Sequence, residues 1–316
     1  MATELELKLM IQPEHVASAC AFLDQWCQRE VSSDQARLPT LSLMNAYFDT
    51  EEATLMEAGM AMRIRAVNGQ FIQTVKTRGS NRVGMHARGE WEWTVPSDAL
   101  DLSLLSEVPL PESLQALAWQ DALVEVYRTD FERQVWNIRL PATAMEVVCD
   151  QGSVTSSYGN DRICELELEL KSGDEMGLYQ FAVQLAEQVP VQVSVVSKAQ
   201  KGVRLKYGQI EFPPKPLASA SDAVLAAYWY EVGLVYWEAM HFMQDEVLSQ
   251  PWRHSMMQLK GYLPDDLAQS LVQLDDTVAS YLLEEETSTL AQLASIKDIG
   301  LIMLSIGMWL QQQADQ

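Results

Sequence analysis

Two short segments of the chain alternate charged residues and leucine with a period of two. They are 4–8, with the sequence ELELK, and 165–171, with the sequence ELELELK. A period of two places every charged side chain on one face of a β-strand and every leucine on the other. Carboxylates this close repel one another, so a fold that keeps them aligned must supply cations. Two such strands facing each other would form a site for a metal and an anion.

The overall charge limits the partners of the protein. The chain has 316 residues, with 22 Lys and Arg against 44 Asp and Glu, and a formal net charge of -22. That balance argues against nucleic acid and against an anionic membrane as partners of the general surface. It leaves room for a local basic pocket. The length suggests two domains.

Cysteine usage and apolar runs indicate the compartment. The four cysteines, Cys20, Cys27, Cys149 and Cys164, form no CxxC pair, so we expect reduced thiols. The N-terminus lacks the pattern of a signal peptide. The longest apolar run, 299–310, is too short to span a bilayer. We therefore expect a soluble, cytoplasmic protein that has no membrane or nucleic-acid partner.

The chain divides by its patterns into a strand-rich part and a helical part. Alternation and turn signals before residue 207 predict an antiparallel barrel or a strongly curved sheet. The candidate strands are 4–11, 42–49, 60–67, 71–76, 85–95, 130–140, 144–150, 153–157, 162–171 and 202–206, with helices over 13–28, near 102–117 and over 174–188. A proline cluster at 213–216 predicts a linker. Long helices are expected after it, over 221–248, 264–286 and 288–312.

Charges alternate along several strands of the first part. Arg63 and Arg65 flank Ile64, for example, and Glu90 and Glu92 flank Trp91. In an ordinary antiparallel sheet such a face meets water, which gives the simplest interpretation of the pattern. The density of Arg and Glu, and the concentration of basic residues here in an acidic chain, favour an inside-out barrel instead. Its lumen would be polar, and helices would cover its apolar exterior.

A lumen of this kind indicates phosphate chemistry. Arginine and lysine suit the oxygens of a polyanion such as a chain of phosphates. Clustered carboxylates suit Mg²⁺ or Mn²⁺, which are hard ions that take oxygen ligands. Both sets in one tunnel imply phosphoryl transfer, in which positioning and charge neutralisation supply most of the catalysis.

Eight charged motifs follow one another along roughly the first two-thirds of the chain. They are Glu4-x-Glu6-x-Lys8, Tyr47-Phe48-Asp49-Thr50, Arg63-Ile64-Arg65, Thr74-Val75-Lys76, Arg88-x-Glu90-x-Glu92, Asp150-x-Gly152, Glu165-x-Glu167-x-Glu169-x-Lys171-Ser172-Gly173 and Ser197-Lys198. In this order they resemble the CYTH family, the triphosphate tunnel metalloenzymes. The resemblance implies an α+β fold: an eight-stranded antiparallel β-barrel with a charged tunnel and flanking helices over 1–207, then an all-α C-terminal domain over 217–316.

The resemblance also implies a role for each matched residue. The implied ligands of Mg²⁺ or Mn²⁺ are Glu4, Glu6, Glu146, Asp150, Glu167 and Glu169. The implied phosphate-binding residues are Lys8, Arg63, Arg65, Lys76, Arg88, Arg133, Lys198 and Lys201, with Arg204 as a further candidate. The implied catalytic residues are Lys8, Glu90, Glu92 and Asp150. The expected reaction is attack of a metal-activated water on a terminal phosphorus. Glu165 and Lys171 lie near strand ends, where a solvated position is as reasonable as a functional one.

The helical block departs from the CHAD domain that often follows CYTH barrels of bacterial type. CHAD domains are rich in histidine and basic residues and are thought to bind polyphosphate. This block is acidic, and its Lys and Arg after the linker are Arg253, Lys260 and Lys297. Its aromatic and Met-rich helix is most simply core packing. A homodimer interface is the main alternative.

Three functions are consistent with the sequence. We favour metal-dependent hydrolysis of tripolyphosphate to pyrophosphate and phosphate. Another triphosphate chemistry is the second: thiamine triphosphatase, nucleoside triphosphatase or adenylate cyclase. A non-enzymatic polyphosphate-binding module that recruits a partner is the third. The carboxylate set looks complete, which argues against the third, and the sequence has no distinctive surface for a base or a thiazolium, which argues against the second.

Overall fold

The structure is a computed structural model that describes residues 2–29, 36–77, 80–82, 85–208, 211–217, 219–283 and 290–314. Within these ranges, the side chains of residues 2–4, 29, 80–82, 85–88, 283 and 314 are not described. The strands are β1 (Ala2–Ile11), β2 (Ala36–Asp49), β3 (Met60–Val67), β4 (Gln70–Thr77), β5 (Ser80–Arg82), β6 (Met85–Val95), β7 (Val124–Leu140), β8 (Thr143–Ser156), β9 (Gly159–Gly173) and β10 (Val191–Ser194).

Eight of these strands pair in a closed antiparallel ring. The order is β1-β9-β8-β7-β2-β3-β4-β6, and β6 pairs again with β1. β5 pairs with the start of β6, and β10 pairs with the end of β1. One edge of β1 is therefore divided: Ala2–Leu7 pairs with β6, and Lys8–Ile11 pairs with β10. The ring confirms the expected α+β fold with an eight-stranded antiparallel barrel.

The leucines of the alternating segments lie on the outside of this barrel. Leu7, Leu9, Leu166 and Leu168 are all 0% exposed and belong to one hydrophobic core with the surrounding helices. Burying a leucine side chain contributes about 1.5–3 kcal/mol, so this exterior is a major source of stability. The charged residues between them point inward. The inside-out interpretation is confirmed.

Helices pack around the barrel and after it. They are α1 (Val16–Arg29), α2 (Thr54–Glu57), α3 (Met176–Ala186), α4 (Lys198–Tyr207), α5 (Asp222–Met243), α6 (Ser249–Lys260), α7 (Asp265–Leu283), α8 (Leu290–Leu293) and α9 (Lys297–Ala314). α5 ends where Gln244 adopts the left-handed conformation. None of the helices in the described ranges is long and apolar enough to cross a membrane.

Several predicted elements differ from the structure. The strands expected over 144–150 and 153–157 form one strand, β8. The strand expected over 202–206 is part of α4, which begins at a capping box formed by Ser197 and Gln200. The helix expected near 102–117 is a series of short 3-10 turns at Leu102–Glu107, Glu112–Leu114 and Leu117–Ala122. Prolines at 109 and 111 interrupt it, because proline lacks the N–H that a helix interior needs.

The C-terminal helices share the core of the barrel. Buried residues from α5, α6, α7 and α9 belong to the same cluster as those of β1, β9 and α3. At Gly300 of α9 an added Cβ would lie 1.8 Å from the carbonyl oxygen of Val191 in β10. Helix and strand backbones are therefore in direct contact. The division into domains at 207 and 217 stays a prediction, since apolar packing crosses it.

Candidate active site

The barrel encloses a cavity of about 330 Å³ with a charged wall. In the described part of the chain the charged wall residues are Lys8, Arg63, Arg65, Lys76, Arg133, Lys171, Lys198, Glu6, Glu90, Glu92, Glu146, Glu167 and Glu169. Seven of the 22 Lys and Arg of an acidic chain thus surround one cavity. All but Lys171 are among the predicted site residues. The fold brings them together from seven strands and α4.

The deepest charges of this wall are lysines paired with glutamates. Lys8 of β1 contacts Glu165, at 3.3 Å, and Glu167 of β9. Lys198, the first residue of α4, reaches the same two carboxylates at 2.5 and 3.0 Å. The register of β1 and β9 places Lys8 directly opposite Glu167. Both Lys8 and Glu165 are 1% exposed, so these pairs are shielded from water.

Arg133 and Asp150 extend this group onto the neighbouring strands. The two residues are in register on β7 and β8. Arg133 donates from Nε and Nη2 to the two oxygens of Asp150, at 2.8 and 2.7 Å, and from Nη2 to Glu167 at 2.9 Å. Such bidentate pairs are among the stronger hydrogen bonds in proteins. We call the complete group the ion cluster: Lys8, Arg133, Lys198, Asp150, Glu165 and Glu167.

Within the ion cluster, the ion pairs together shift the pKa values of Lys8 and Glu167 more than burial does. Burial opposes the charged form of Lys8, yet Glu165 and Glu167 raise its pKa well above the ordinary value. Burial also opposes the charge of Glu167, yet Lys198, Lys8 and Arg133 hold its pKa well below the ordinary value. Three carboxylates thus face three cations. Although the oxygens of Asp150, Glu165 and Glu167 lie within 4.8 Å of one another, their negative charge is already balanced.

Arg65 of β3 projects into the cavity without an acidic partner. Its Nε donates to Oδ1 of Asn45 at 2.9 Å, and Asn45 in turn donates to Thr129 at 3.1 Å. Within the described ranges Arg65 has no ion pair. Burial, followed by repulsion from Arg63 and Arg133, lowers the pKa of the Arg65 guanidinium to about 10. Arg63 and Arg133 thus both repel Arg65, and an anion in the cavity would relieve that repulsion.

Glu90 and Glu92 lie beside two of the cations. Arg63 Nη2 is 3.5 Å from Glu90 and 3.7 Å from Glu92, and Lys76 Nζ is 3.1 Å from Glu90. The side chain of Glu90 is 8% exposed, whereas that of Glu92 is 47% exposed and accepts a bond from Thr74. The two carboxylates therefore differ in their access to water, and Glu92 faces the solvent side of the cavity.

Glu6, Glu146 and Glu169 form a row across three adjacent strands. Glu6 of β1 and Glu146 of β8 are both in register with Glu169 of β9. Lys171 contacts this row, with Nζ 2.7 Å from Glu169 and 3.5 Å from Glu146. Three carboxylates in register with one lysine beside them leave net negative charge, and oxygen ligands suit hard divalent ions. By charge this carboxylate row suits Mg²⁺ or Mn²⁺ better than the balanced ion cluster, although among the described residues it is the oxygens of the ion cluster, and not those of the row, that lie within 4.8 Å of one another.

Some predicted residues lie elsewhere. Lys201 pairs with Asp161 at 3.6 Å and donates to the carbonyl of Arg162, outside the cavity wall. Arg204 also pairs with Asp161, at 2.8 Å. Glu4 and Arg88 are in register on β1 and β6, which places their backbones in the ring, but their side chains lie outside the described part of the structure.

Sequence reasoning gave no role to several residues of the site. Glu165 is buried in the ion cluster, and Lys171 contacts the carboxylate row; the same period of two that placed Glu167 and Glu169 was the available signal. Tyr47 lines the cavity and stacks on Tyr127 with ring centroids 4.6 Å apart. Tyr47 stands in one of the eight motifs of the family resemblance, which gave it no role in the site.

A second cavity of about 450 Å³ adjoins the mouth of the barrel, and we call it the apolar chamber. It shares wall residues Tyr47, Ala61, Lys76, Ser197 and Ala199 with the charged cavity. Its other walls come from β2, α2, β3, β7, α4, the linker and α5, and include Met56, Met62, Val203, Phe212, Val235 and Glu238. The two cavities are therefore neighbours that share five wall residues, one charged and one mainly apolar.

A closed antiparallel barrel around a cavity of arginine, lysine and glutamate is the architecture that the charged motifs predicted. The sequence matches the profile of the CYTH domain over residues 2–203. The chain therefore belongs to the CYTH family. The match ends within α4, so it includes the helix that carries Lys198 and leaves out the helices from α5 onward.

Related proteins of known name or structure are similar to part of this chain. An inorganic triphosphatase from Haemophilus influenzae is 30% identical over 210 residues, which are 65% of this chain and 55% of that protein. The chain thus spans about half the length of this curated relative. A Hippeastrum protein described as having a dominant triphosphatase activity is 19% identical, with a TM-score of 0.47 over 66% of this chain and 97% of that one. A protein of Pyrococcus horikoshii OT3 is 15% identical, with a TM-score of 0.40 over 65% and 99%.

Proposed function

We propose that this protein hydrolyses inorganic triphosphate (tripolyphosphate) to pyrophosphate and phosphate inside the barrel, with Mg²⁺ or Mn²⁺ as cofactor. The observation that carries the proposal is the Arg65 guanidinium, held without an acidic partner beside Arg63 and Arg133. A half-buried cation that has no ion-pair partner among the described residues and is repelled by two others is costly unless an anion completes the site. A chain of phosphates supplies several oxygens to several cations at once.

The division of charge within the cavity supports the same substrate. Arg63, Arg65, Lys76 and Arg133 face the lumen and would bind phosphate oxygens. Arg133 belongs to the ion cluster, whose carboxylates also keep Lys8 and Lys198 charged and in place. Neutralising a phosphate chain in this way lowers the barrier to its hydrolysis, because phosphoryl transfer depends mainly on positioning and electrostatics.

The carboxylate row is the proposed metal site. Glu6, Glu146 and Glu169 would hold the ion, with Glu4 joining them on the strength of the family motif. A bound Mg²⁺ or Mn²⁺ would polarise phosphate oxygens and lower the pKa of a coordinated water. Asp150 and Glu167, also candidate ligands from the sequence, serve in this proposal as partners of Arg133 and Lys198.

Glu90 and Glu92 are the proposed residues for orienting the attacking water. Glu92 is the more exposed of the two and accepts a bond from Thr74, so its carboxylate is held while still reaching solvent. It can accept a hydrogen bond from a water and the proton that the water loses. Glu90 would fix Arg63 and Lys76 against the substrate.

The test is phosphate release from tripolyphosphate with Mg²⁺ or Mn²⁺, measured for the wild type, Arg65→Met and Arg128→Met. Arg128 is the control, because it lies in an exposed pair with Glu125. We expect turnover by the wild type and the Arg128 variant and loss of affinity in the Arg65 variant. Binding of tripolyphosphate without turnover under any metal would favour a phosphate-binding module, and equal behaviour of both variants would refute the assigned cavity.

The apolar chamber favours one second candidate, hydrolysis of an organic triphosphate. Its apolar wall could receive a base or a thiazolium ring while the phosphates occupy the charged cavity, since the two share Tyr47 and Lys76. Apolar walls with a few polar groups are typical of small-molecule sites. Comparing kcat/KM for ATP, thiamine triphosphate and tripolyphosphate separates the candidates. Formation of cyclic AMP from ATP would identify the cyclase alternative.

A further inference from the structure

A buried glutamate of the C-terminal helices is bonded to the segment that precedes Lys198. Glu238 of α5 is 2% exposed. Its Oε1 accepts hydrogen bonds from Ser194 Oγ at 2.7 Å, Val195 N at 2.6 Å and Val196 N at 3.1 Å. One carboxylate oxygen thus holds the turn between β10 and α4. Three donors on one buried acceptor oxygen therefore fix the backbone of this turn.

This turn determines the position of Lys198, the first residue of α4. Ser197 is the N-cap of α4, and its capping box with Gln200 fixes the first turn of the helix. The helix therefore starts directly from the turn at residues 195–197. The side chain of Lys198 lines the charged cavity, and its Nζ lies 2.6 Å from Oδ2 of Asp150. Moving the backbone at 195–196 would move the start of α4, and with it the ammonium group.

The same face of α5 holds the other end of α4. Phe242 lies one helical turn after Glu238, and the guanidinium of Arg204 packs over its ring at 4.0 Å. Glu238 Oε2, which has no hydrogen-bond partner among the described residues, is 3.8 Å from Arg204 Nη1. Arg204 is also bonded to Asp161 of β9 at 2.8 Å. α4 is therefore fixed against the barrel at both ends.

We propose that Glu238 is a positioning residue for the triphosphate site, acting through Lys198 and not by contact with substrate. The C-terminal helices, which lie beyond the family match, then contribute to affinity in the barrel. The affinity readout rests on the proposed function, because it uses tripolyphosphate as the ligand.

Three substitutions at this position, made in the full chain, give graded predictions. Glu238→Gln keeps an amide oxygen that can accept the three bonds, so its tripolyphosphate Kd should stay within about threefold of the wild type. Glu238→Met removes every acceptor at similar length and should weaken binding about tenfold or more, since tenfold corresponds to about 1.4 kcal/mol. Glu238→Asp draws the carboxylate back by one methylene, so its Kd should lie between those of the Gln and Met variants. This variant replaces Glu238→Met in the test if the Met variant does not fold.

A double-mutant cycle with Lys198→Met separates positioning from general stability. If Glu238 acts through Lys198, the Asp or Met substitution should cause no further loss of affinity once Lys198 is replaced. Tyr230→Phe is the matched control on α5, because it removes a buried bond to Met303 about two helical turns before Glu238. The Tyr230 variant should keep the wild-type Kd and KM.

Hydrogen exchange provides a readout that does not depend on the substrate. The amides of residues 195–200 should exchange at least about tenfold faster in Glu238→Asp and at the wild-type rate in Tyr230→Phe. If the wild type neither binds nor hydrolyses tripolyphosphate, the proposed function fails and exchange alone decides this inference. An unchanged Kd and unchanged exchange in the Asp and Met variants, a Gln variant as weak as Met, or multiplicative losses in the cycle would each overturn it.

Discussion

The ammonium group of Lys198, at the start of α4, lies 2.6 Å from the carboxylate of Asp150, in the middle of β8. Asp150 is 0% exposed and is also bonded through both oxygens to Arg133 of β7. One buried carboxylate therefore holds a helix and a neighbouring strand to the same point of the barrel wall. The stability of the barrel and the placement of its cations depend on the same contacts.

Replacing Asp150 with asparagine should destabilise the protein substantially. The change leaves Arg133 without its bidentate partner, and removing one member of a buried ion pair costs about 3–5 kcal/mol. We expect the free energy of unfolding in urea to fall by about 3 kcal/mol. Glu125→Gln is the control, because its pair with Arg128 is exposed and contributes less than about 1 kcal/mol. Equal losses in the two variants would contradict this account.

Replacing Arg65 with methionine should weaken substrate binding without destabilising the fold. Loss of a charged donor to phosphate, worth about 1.5–3 kcal/mol, should raise the tripolyphosphate Kd about ten- to hundredfold. Relief of the repulsion by Arg63 and Arg133 offsets the loss of the bond to Asn45, so the melting temperature should stay nearly constant. Calorimetry and thermal unfolding measure the two effects. A lower melting temperature with unchanged affinity would show a purely structural role.

Replacing Glu146 with glutamine should weaken metal binding about tenfold. The carboxylate row loses one negative ligand, and an amide oxygen is a poorer partner for a divalent ion. Titration of Mn²⁺ by calorimetry measures the change directly. The stabilisation of the fold by added Mn²⁺ should shrink in parallel, because binding to the native state raises its stability. The exposed Glu132→Gln variant on β7 should bind Mn²⁺ as the wild type does.

Acidification should destabilise the C-terminal helices through His241. Burial lowers the pKa of its imidazole to about 4 from an ordinary 6.5. Between these values the unfolded chain binds the proton and the folded chain does not, so stability is lost as the pH falls from 6.5 to 4. The loss is at most about 1.4 kcal/mol per pH unit. The urea midpoint should fall less steeply over this window in His241→Leu, whereas the exposed His254→Gln variant should follow the wild type.

Replacing Gly300 with alanine should separate α9 from β10. The new Cβ would lie 1.8 Å from the carbonyl oxygen of Val191, a backbone atom that cannot move aside without shifting the strand. Overpacking of this kind costs about 1–3 kcal/mol or more. Gly261→Ala is the control, since its nearest neighbour is 3.5 Å away. If thermal unfolding of the two variants is the same, the close approach of helix and strand is wrong.

The barrel was predictable because its pattern is local and repeated. A period of two in 165–171 defines which face of β9 is charged, and the order of the motifs then identifies the family and the ring. Lys8 and Glu167 were placed correctly in one cavity for this reason. The helix α4 was predictable in principle from the capping signal of Ser197 and Gln200, but its short alternating sequence was interpreted as a strand.

Other features depend on tertiary contacts that no local pattern records. The resemblance implied metal-binding and catalytic roles for Asp150, and the sequence does not reveal that Arg133 and Lys198 converge on it. It implied phosphate binding for Lys201, yet α4 directs this side chain to Asp161. Glu238 lies in a helix of an acidic block, where a single glutamate would ordinarily be interpreted as solvated.

The divided edge of β1 has a consequence for how the protein is made. Among the described strands β1 comes first; β6, which pairs with Ala2–Leu7, follows at residues 85–90, whereas the partners in β9 and β10 follow only at 165–169 and 191–194. The edge of β1 that faces β9 must therefore stay open while most of the barrel is synthesised, and pairing over such distances is slow. During that wait the repelling carboxylates of ELELK protect it against association with other nascent chains, since charges on an open edge oppose aggregation.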